Sequence, residues 1–285
     1  RNGHHPDNSY GAGRHHSFTD MMLKGGLTYK FSGRQLLSAN VVYGTMAPLA
    51  NDAYISPRVC DDTPDNLKSS RIFSADLNYI FAFNRLKGRV GVFQTNFYDL
   101  IERNSFYYDG VTFVNHMMTG VNKVHRGIEL GLTYKLDGHW SFDLAGTVSE
   151  YYYANNPMGT YSIENGKDVA EYSLQESERV YMKNVYVGGL PQVAGTFGVR
   201  YFIDYWFLGA NINAFGRNFI EVAPSRRTAS IYNGYTSGST TMPAVTPNDS
   251  KLYGAYQTLT HQEEFDADYT IDLSTQHPKP LQNAR

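Results

Sequence analysis

Apolar and polar residues alternate with a period of two along most of the chain. That is the spacing of a strand with one oily and one wet face. Over 69–83, Phe73, Ala75, Leu77, Tyr79, Phe81 and Phe83 alternate with Ser74, Asp76 and Asn78. Over 120–136, Ile128, Leu130, Leu132, Tyr134 and Leu136 alternate with Glu129, Gly131, Thr133 and Lys135. The same pattern predicts strands over 17–31 and 35–47, and strand-like runs cover 87–103, 140–153, 191–203, 206–218 and 265–275. The total is about nine strands, with no run of helical period.

The connections alternate in length. Ser32-Gly33-Arg34, the Asn84–Lys87 region, Asp137-Gly138-His139 and Asp204-Tyr205 are short and carry turn chemistry or are very tight. Long polar connections are expected near 1–16, 48–68, 104–119, 154–190 and 219–264. Tight turn, long loop, tight turn, long loop describes an up-and-down meander whose long loops all emerge at one end. Strands of about 13 to 15 residues exceed the usual five or six, and about 9–11 tilted residues cross a bilayer. The prediction is all-β: an antiparallel up-and-down transmembrane β-barrel, with residues 1–285 as one partial barrel domain.

Aromatic placement points the same way. Phe31, Phe81, Phe83, Trp140, Tyr201, Phe202, Tyr205, Trp206 and Phe207 gather at the tight-turn ends, and Tyr43, Tyr98, Tyr151, Tyr152, Tyr153 and Phe219 near the long-loop ends. Two such bands would be the girdles of a membrane barrel. The opposite row holds Lys24, Lys30, Asp76, Glu129, Lys135, Asp143 and Arg200. A Lys or Arg facing mid-bilayer lipid costs about 2–4 kcal/mol, so Lys24, Asp76, Glu129, Lys135 and Arg200 are expected to face a wet lumen. A half-buried soluble sheet explains the alternation equally well; only the loop asymmetry and the aromatic bands separate the two.

Composition narrows the field. The 285 residues carry 25 Lys+Arg against 27 Asp+Glu, a formal charge of -2, so nothing suggests a nucleic-acid partner. Mean hydropathy is -0.43, and no apolar run approaches the roughly 18 residues of a transmembrane helix. Aromatics at 14% and 26 Gly suit many strands with aromatic surfaces. The single Cys60 excludes an intrachain disulfide and any Cys-based zinc cluster.

Candidate chemistry is sparse. His4-His5 and His15-His16 bracket a Gly-rich loop, yet no spacing fixes a metal geometry. Asp61, Asp62, Glu176 and Glu178 sit in long loops, where spacing cannot show two carboxylates converging. No nucleophile elbow, His-Glu-x-x-His or phosphate loop occurs. No catalytic residue, metal site or cofactor is expected. Tyr54, Tyr107, Tyr108, Tyr161, Tyr232 and Tyr235 are candidates to line a ligand mouth, by stacking and hydrogen bonding; packing of the loops on themselves is the competing reading.

Four stretches resemble TonB-dependent outer-membrane receptors. Thr63-Pro64-Asp65-Asn66-Leu67-Lys68 resembles that family's N-P-x-L-K-P-E segment, with Ser69-Ser70 in place of Pro-Glu. Asn96-Phe97-Tyr98-Asp99-Leu100-Ile101 resembles the next strand, which commonly reads Y-x-D-I. Val121-Asn122 through Arg126-Gly127-Ile128-Glu129-Leu130 is similar to N-x-G-x-x-x-x-x-G-[VI]-E, and Phe265 to Leu273 looks like the late w-x-x-D-l-s strand. Their order and spacing carry the likeness. It implies the later part of a 22-stranded barrel, roughly strands 12 to 20, with the plug and the last two strands outside the chain. It implies energy-coupled import of a scarce solute such as a ferric siderophore, cobalamin or a glycan, in the outer membrane of a Gram-negative bacterium. The implied partners are outer-membrane lipid, TonB through the absent N-terminal part, and the solute, a small molecule or an oligosaccharide; a surface lipoprotein lid is a further partner the resemblance allows. A barrel protease or phospholipase and a surface β-sandwich adhesin are the alternatives.

Overall fold

The computed structural model describes residues 15–56, 63–64, 67–164, 169–172, 174, 176–230, 235–237, 240–242 and 261–276. Its strands are β1 (Met22–Ser32), β2 (Gln35–Met46), β3 (Ser70–Ala82), β4 (Leu86–Tyr108), β5 (Thr112–Lys135), β6 (Trp140–Tyr153), β7 (Met158–Ile163), β8 (Ser177–Arg179), β9 (Pro191–Ile203), β10 (Trp206–Phe219), β11 (Tyr235–Ser237), β12 (Thr240–Met242), β13 (Glu264–Phe265) and β14 (Asp268–Gln276). Twelve of them form one sheet, in which β1 to β6, β9, β10 and β14 are antiparallel neighbours in chain order. β11 and β12 pair separately.

The turns at one end are as tight as the sequence suggests. Asp204 and Tyr205 both take positive φ, 45° and 68°, the signature of a two-residue hairpin turn whose twist matches its strands. The Asp137 carboxylate accepts the N–H groups of His139 and Trp140 at 2.8 Å each, which closes the β5–β6 turn.

Directly paired residues share a face, so the register sorts every side chain. Phe81, Gly88, Leu132, Leu144, Phe197, Ile212 and Ile271 form one continuous row across β3 to β14. Leu27, Ala39, Leu77, Val92, Ile128, Val148 and Val193 form another on the same face. Nothing in the described chain covers this face: Ile128 is 56% exposed and Phe197 45%, though both lie in central strands. On β5 the alternating apolar positions from Ile128 to Tyr134 span seven residues. Tyr29, Tyr79, Phe81, Tyr134, Phe142, Trp140 and Tyr201 band the tight-turn end of this face and touch along it, as in the Trp140–Tyr201 pair at 4.5 Å. Tyr43, Phe73, Tyr98 and Tyr152 stand on it toward the other end. Five members of the expected bands are elsewhere: Phe202, Phe207, Tyr151 and Tyr153 have the opposite parity, and Phe219 is buried against Tyr186.

Two expected loops are corrected. Residues 104–119 are not a loop: β4 and β5 run on for 23 and 24 residues and close through Asp109, Gly110 and Val111. Asp109 and Gly110 supply the positive φ values, 46° and 82°, and Asp109 accepts the Thr112 N–H at 3.0 Å. The segment 154–190 contains β7, which continues the line of β6 beside β5, and β8, which pairs with β7. The sheet therefore rises past its bare apolar band and ends in a packed cap. Met118, Val121, Tyr153, Val180, Met182 and Val185 form one dry cluster there, and Val114, Tyr161 and Ile163 a second.

Candidate functional site

The face opposite the apolar rows is mostly polar, with Ile72, Ile80, Phe93 and Phe97 among its exceptions. Lys24, Asp76, Glu129, Lys135 and Arg200 all fall on it by register. Asp76 accepts from Asn40 at 2.9 Å and from Asn78, and Asn78 accepts from Arg89 at 2.7 Å. Arg89 reaches Glu129 at 3.3 Å, so one chain of hydrogen bonds links β2 to β5. Asp143 bonds Thr133 and Arg200, and Asp272 accepts from Asn213 at 2.8 Å. Gly127 is held on this face by Phe93 and Ser149, which an added Cβ would meet at 3.0 and 2.7 Å. Arg126 lies on the other face, just beyond the apolar rows, paired with Glu150 at 2.7 Å and set over the Tyr152 ring.

Where the bare sheet passes into the cap, β4 and β5 shift register around Leu100. Asp99 has φ 59° there, and Asn122 Oδ1 accepts its N–H at 3.0 Å. The Asp99 carboxylate binds Lys68 and Arg71, each at 2.7 Å. Its partial burial disfavours the charge, but those two cations outweigh it and hold the group below the usual carboxylate range. Lys68, Asp99 and Asn122 come from three separate motif-like segments of the sequence, and they meet at one residue, Lys68 on the Asp99 carboxylate and Asn122 on its backbone N–H. Asn155 completes the junction: it accepts the Asn122 N–H at 2.9 Å and donates to Gly120 O at 2.8 Å.

Above the junction, on the side of the polar face, lies a pocket of about 290 Å³. Glu102 is its centre, accepting from the Tyr153 hydroxyl at 2.8 Å and pairing with Lys123. Burial, then Glu102, pushes the Tyr153 hydroxyl well above its ordinary value. Met118, Val187, Val222 and Pro224 supply an apolar wall. His116 is also in the wall, fully buried and stacked on Tyr161 at 4.5 Å. Neither ring nitrogen has a hydrogen-bond partner among the described residues, and burial pulls its pKa down to about 4. The sequence reading missed this pocket. Glu102 falls near the end of the 87–103 strand run, but His116 falls in an expected loop; the hairpin at Asp109-Gly110 sets Glu102 opposite Met118 and Asn104 opposite His116.

The loop aromatics separate. Tyr107 is 65% exposed and edges onto Phe113 at 5.2 Å. Tyr54 is mostly covered beside His16, their ring centroids 6.4 Å apart. Tyr161 is 4% exposed inside the second cluster, with Tyr108 packed against it. These two belong to the cap's own core, because the 104–119 hairpin brings a sheet against their loop. Tyr232 and the side chain of Tyr235 lie outside the described residues, as do His4, His5, Cys60, Asp61 and Asp62. Glu176 is exposed, while Glu178 is buried and accepts the Ser230 N–H at 2.8 Å. Among the described residues no three His, Cys, Asp or Glu side chains are grouped to hold a metal ion.

A family model described as "TonB dependent receptor-like, beta-barrel" matches residues 2–276. No curated protein matches the sequence. Among solved structures, the copper transporter OprC aligns with a TM-score of 0.50 at 15% identity, over 69% of this chain and 27% of that one. The Pseudomonas putida toluene transporter TodX aligns with a TM-score of 0.37 at 13% identity, over 70% of this chain and 61% of that one. The likeness to OprC, at such identity, is likeness of fold alone. The chain spans about a quarter of the OprC chain, 27%.

Proposed function

This chain belongs to the TonB-dependent receptor-like β-barrel family, and from that premise we propose that the protein imports a scarce extracellular solute across a Gram-negative outer membrane by energy coupling. The supporting observation is the division of nine long strands into one bare apolar face and one hydrogen-bonded polar face. The apolar rows suit acyl chains. The polar row, with Lys24, Asp76, Glu129, Lys135 and Arg200, suits a wet lumen. In a bilayer every backbone polar group has to be paired, so these strands work as part of a larger closed barrel.

In this reading the tight turns face the periplasm and the cap faces outward. The solute meets the cap first, with Tyr54 and Tyr107 as contacts at its mouth. It passes when TonB, driven from the inner membrane, remodels a plug that fills the lumen. The solute is of ferric-siderophore, cobalamin or glycan class, and a surface lipoprotein lid is compatible with the exposed cap. This reading gives no catalytic role to Glu178, which is committed to a structural hydrogen bond, or to Glu176, which is solvated.

The test is membrane extraction joined to a genetic comparison. The full-length protein should stay in the outer membrane through alkaline carbonate and urea washes and leave only with detergent. Cells lacking the receptor should share with TonB-deficient cells a growth defect on a limiting nutrient. Release by carbonate alone would overturn the reading.

A further inference from the structure

The pocket around Glu102 has a composition that points to one kind of ligand. Its charged groups balance, Glu102 and Glu221 against Arg103 and Lys123. An ion entering it gains no net attraction and still loses its hydration. Hydrogen-bonding capacity is left over all the same. Each Glu102 oxygen has one partner, Lys123 or Tyr153, and a carboxylate oxygen accepts two. Lys123 keeps further donors beyond its bond to Glu102, and Glu221 has no hydrogen-bond or ion-pair partner among the described residues. The same pocket is also lined by Met118, Val187, Val222 and Pro224, which add aliphatic carbon. A site lined by both hydrogen-bonding groups and aliphatic carbon matches a molecule that carries hydroxyls on its edge and C–H groups on its face.

Size narrows the choice. At about 290 Å³ the space lies at the bottom of the range of small-molecule sites, so it takes one ring-sized group and not a whole chelate or corrin. The walls are also fixed in advance. Glu102 and Tyr153 are held by each other and by Lys123, whose ammonium lies 4.6 Å from the Tyr153 ring centre. Gly188 lets its segment rest directly on the Glu221 backbone, where a Cβ would come within 2.5 Å. A preformed site loses little order on binding.

We propose that this pocket binds an uncharged, hydroxyl-bearing ring of the imported solute, with the chemistry of a single sugar residue. The inference rests on the transport reading above, because it takes the polar face to be open to the outside. Lys123 and Glu102 hold the hydroxyls, and the Met118–Val187–Val222 wall covers the ring face.

The experiment uses the full-length receptor purified in detergent, with folding checked by its heat-modifiable migration on gels. The probes are the methyl glycosides of glucose, galactose, mannose and xylose, with glucuronate and glucosamine as charged counterparts, and binding is read by saturation-transfer NMR and calorimetry. At least one neutral glycoside should bind saturably, tenfold or more tightly than either charged counterpart. Glu102→Gln should weaken that binding at least tenfold. Val187→Trp, which fills the space and leaves the ion pair intact, should abolish it. No saturable binding of any neutral glycoside to the folded receptor, equal binding of the charged counterparts, or binding unchanged in both variants would overturn the assignment. A receptor that needs detergent for extraction and shares the TonB-deficient defect, yet binds no glycoside, refutes the pocket and leaves the transport reading standing; release by carbonate refutes the transport reading itself.

Discussion

Leu144 and Met118 are both apolar side chains on long antiparallel strands of one sheet, and they end up in opposite surroundings. Leu144 is 41% exposed on a face that nothing in the described chain covers. Met118 is 2% exposed, enclosed by Val121, Tyr153, Val180 and Met182. The lower sheet leaves its second layer to the surroundings, whereas the cap builds one from β7, β8 and the segments around 180–190 and 219–228. In the proposed setting the reason is the solvent. Acyl chains are as apolar as leucine and cover the lower wall at no cost. Above the bilayer the same strands stand in water, where burying carbon against carbon is the main stabilising term.

That contrast can be tested by spoiling each region in its own way. Met118→Ala should have the largest effect, opening a cavity that costs the cap about 2–5 kcal/mol. Limited proteolysis should then cut within 154–190, while the barrel keeps its heat-modifiable migration. Leu144→Arg should cost about 2–4 kcal/mol in lipid and lower the urea midpoint of the reconstituted barrel. Ala145→Arg, one residue away on the polar face, should leave that midpoint nearly unchanged; equal losses for the two variants would end the two-face reading.

Protonation tests the cap alone. His116 is pulled down to about 4 by burial, and in an opened cap it titrates near the ordinary 6.5. The open form therefore takes up the proton first. Cap stability should be full above pH 6.5 and fall between 6.5 and 4, by roughly 3 kcal/mol at most. Amide exchange of Met117 and Met118, corrected for intrinsic rates and compared between pH 7 and 4.5, should show the loss. His116→Phe, which keeps the ring on Tyr161, should remove it. The smallest effect is expected from Glu150→Gln: the pair with Arg126 is half exposed at the rim of the bare face. Such a pair is worth about 0.2–1 kcal/mol, a shift in the urea midpoint near the limit of measurement.

The strands of the wall were legible because alternation carries both their existence and their facing. One shift of register would have moved Leu132 and Thr133 to each other's side. The polar row was legible for the same reason. The cap was not, because its pairings are long-range. His116 meets Tyr161 only after the β4–β5 hairpin forms and β7 adds to its edge. One local signal was available and went unused: Asp109-Gly110 is a strong short hairpin cue, and it turns residues 104–119 from a loop into sheet. Tyr161 and Tyr108 then pass from candidate ligand contacts to core, and Glu102, Lys123 and Tyr153 become a pocket.

By itself the sequence determined which side chains share a face along each strand, where the tight turns fall, and that one face is apolar and the other mostly polar. Those properties are local, set by a period of two and by turn residues. Only the tertiary structure decided that Lys68 and Asn122 meet at Asp99, one on its carboxylate and one on its backbone N–H, and that two loops condense into a core. It also placed Glu102 between Lys123 and Tyr153. Those contacts join residues far apart in the chain, and no repeat in the sequence encodes the distance between them.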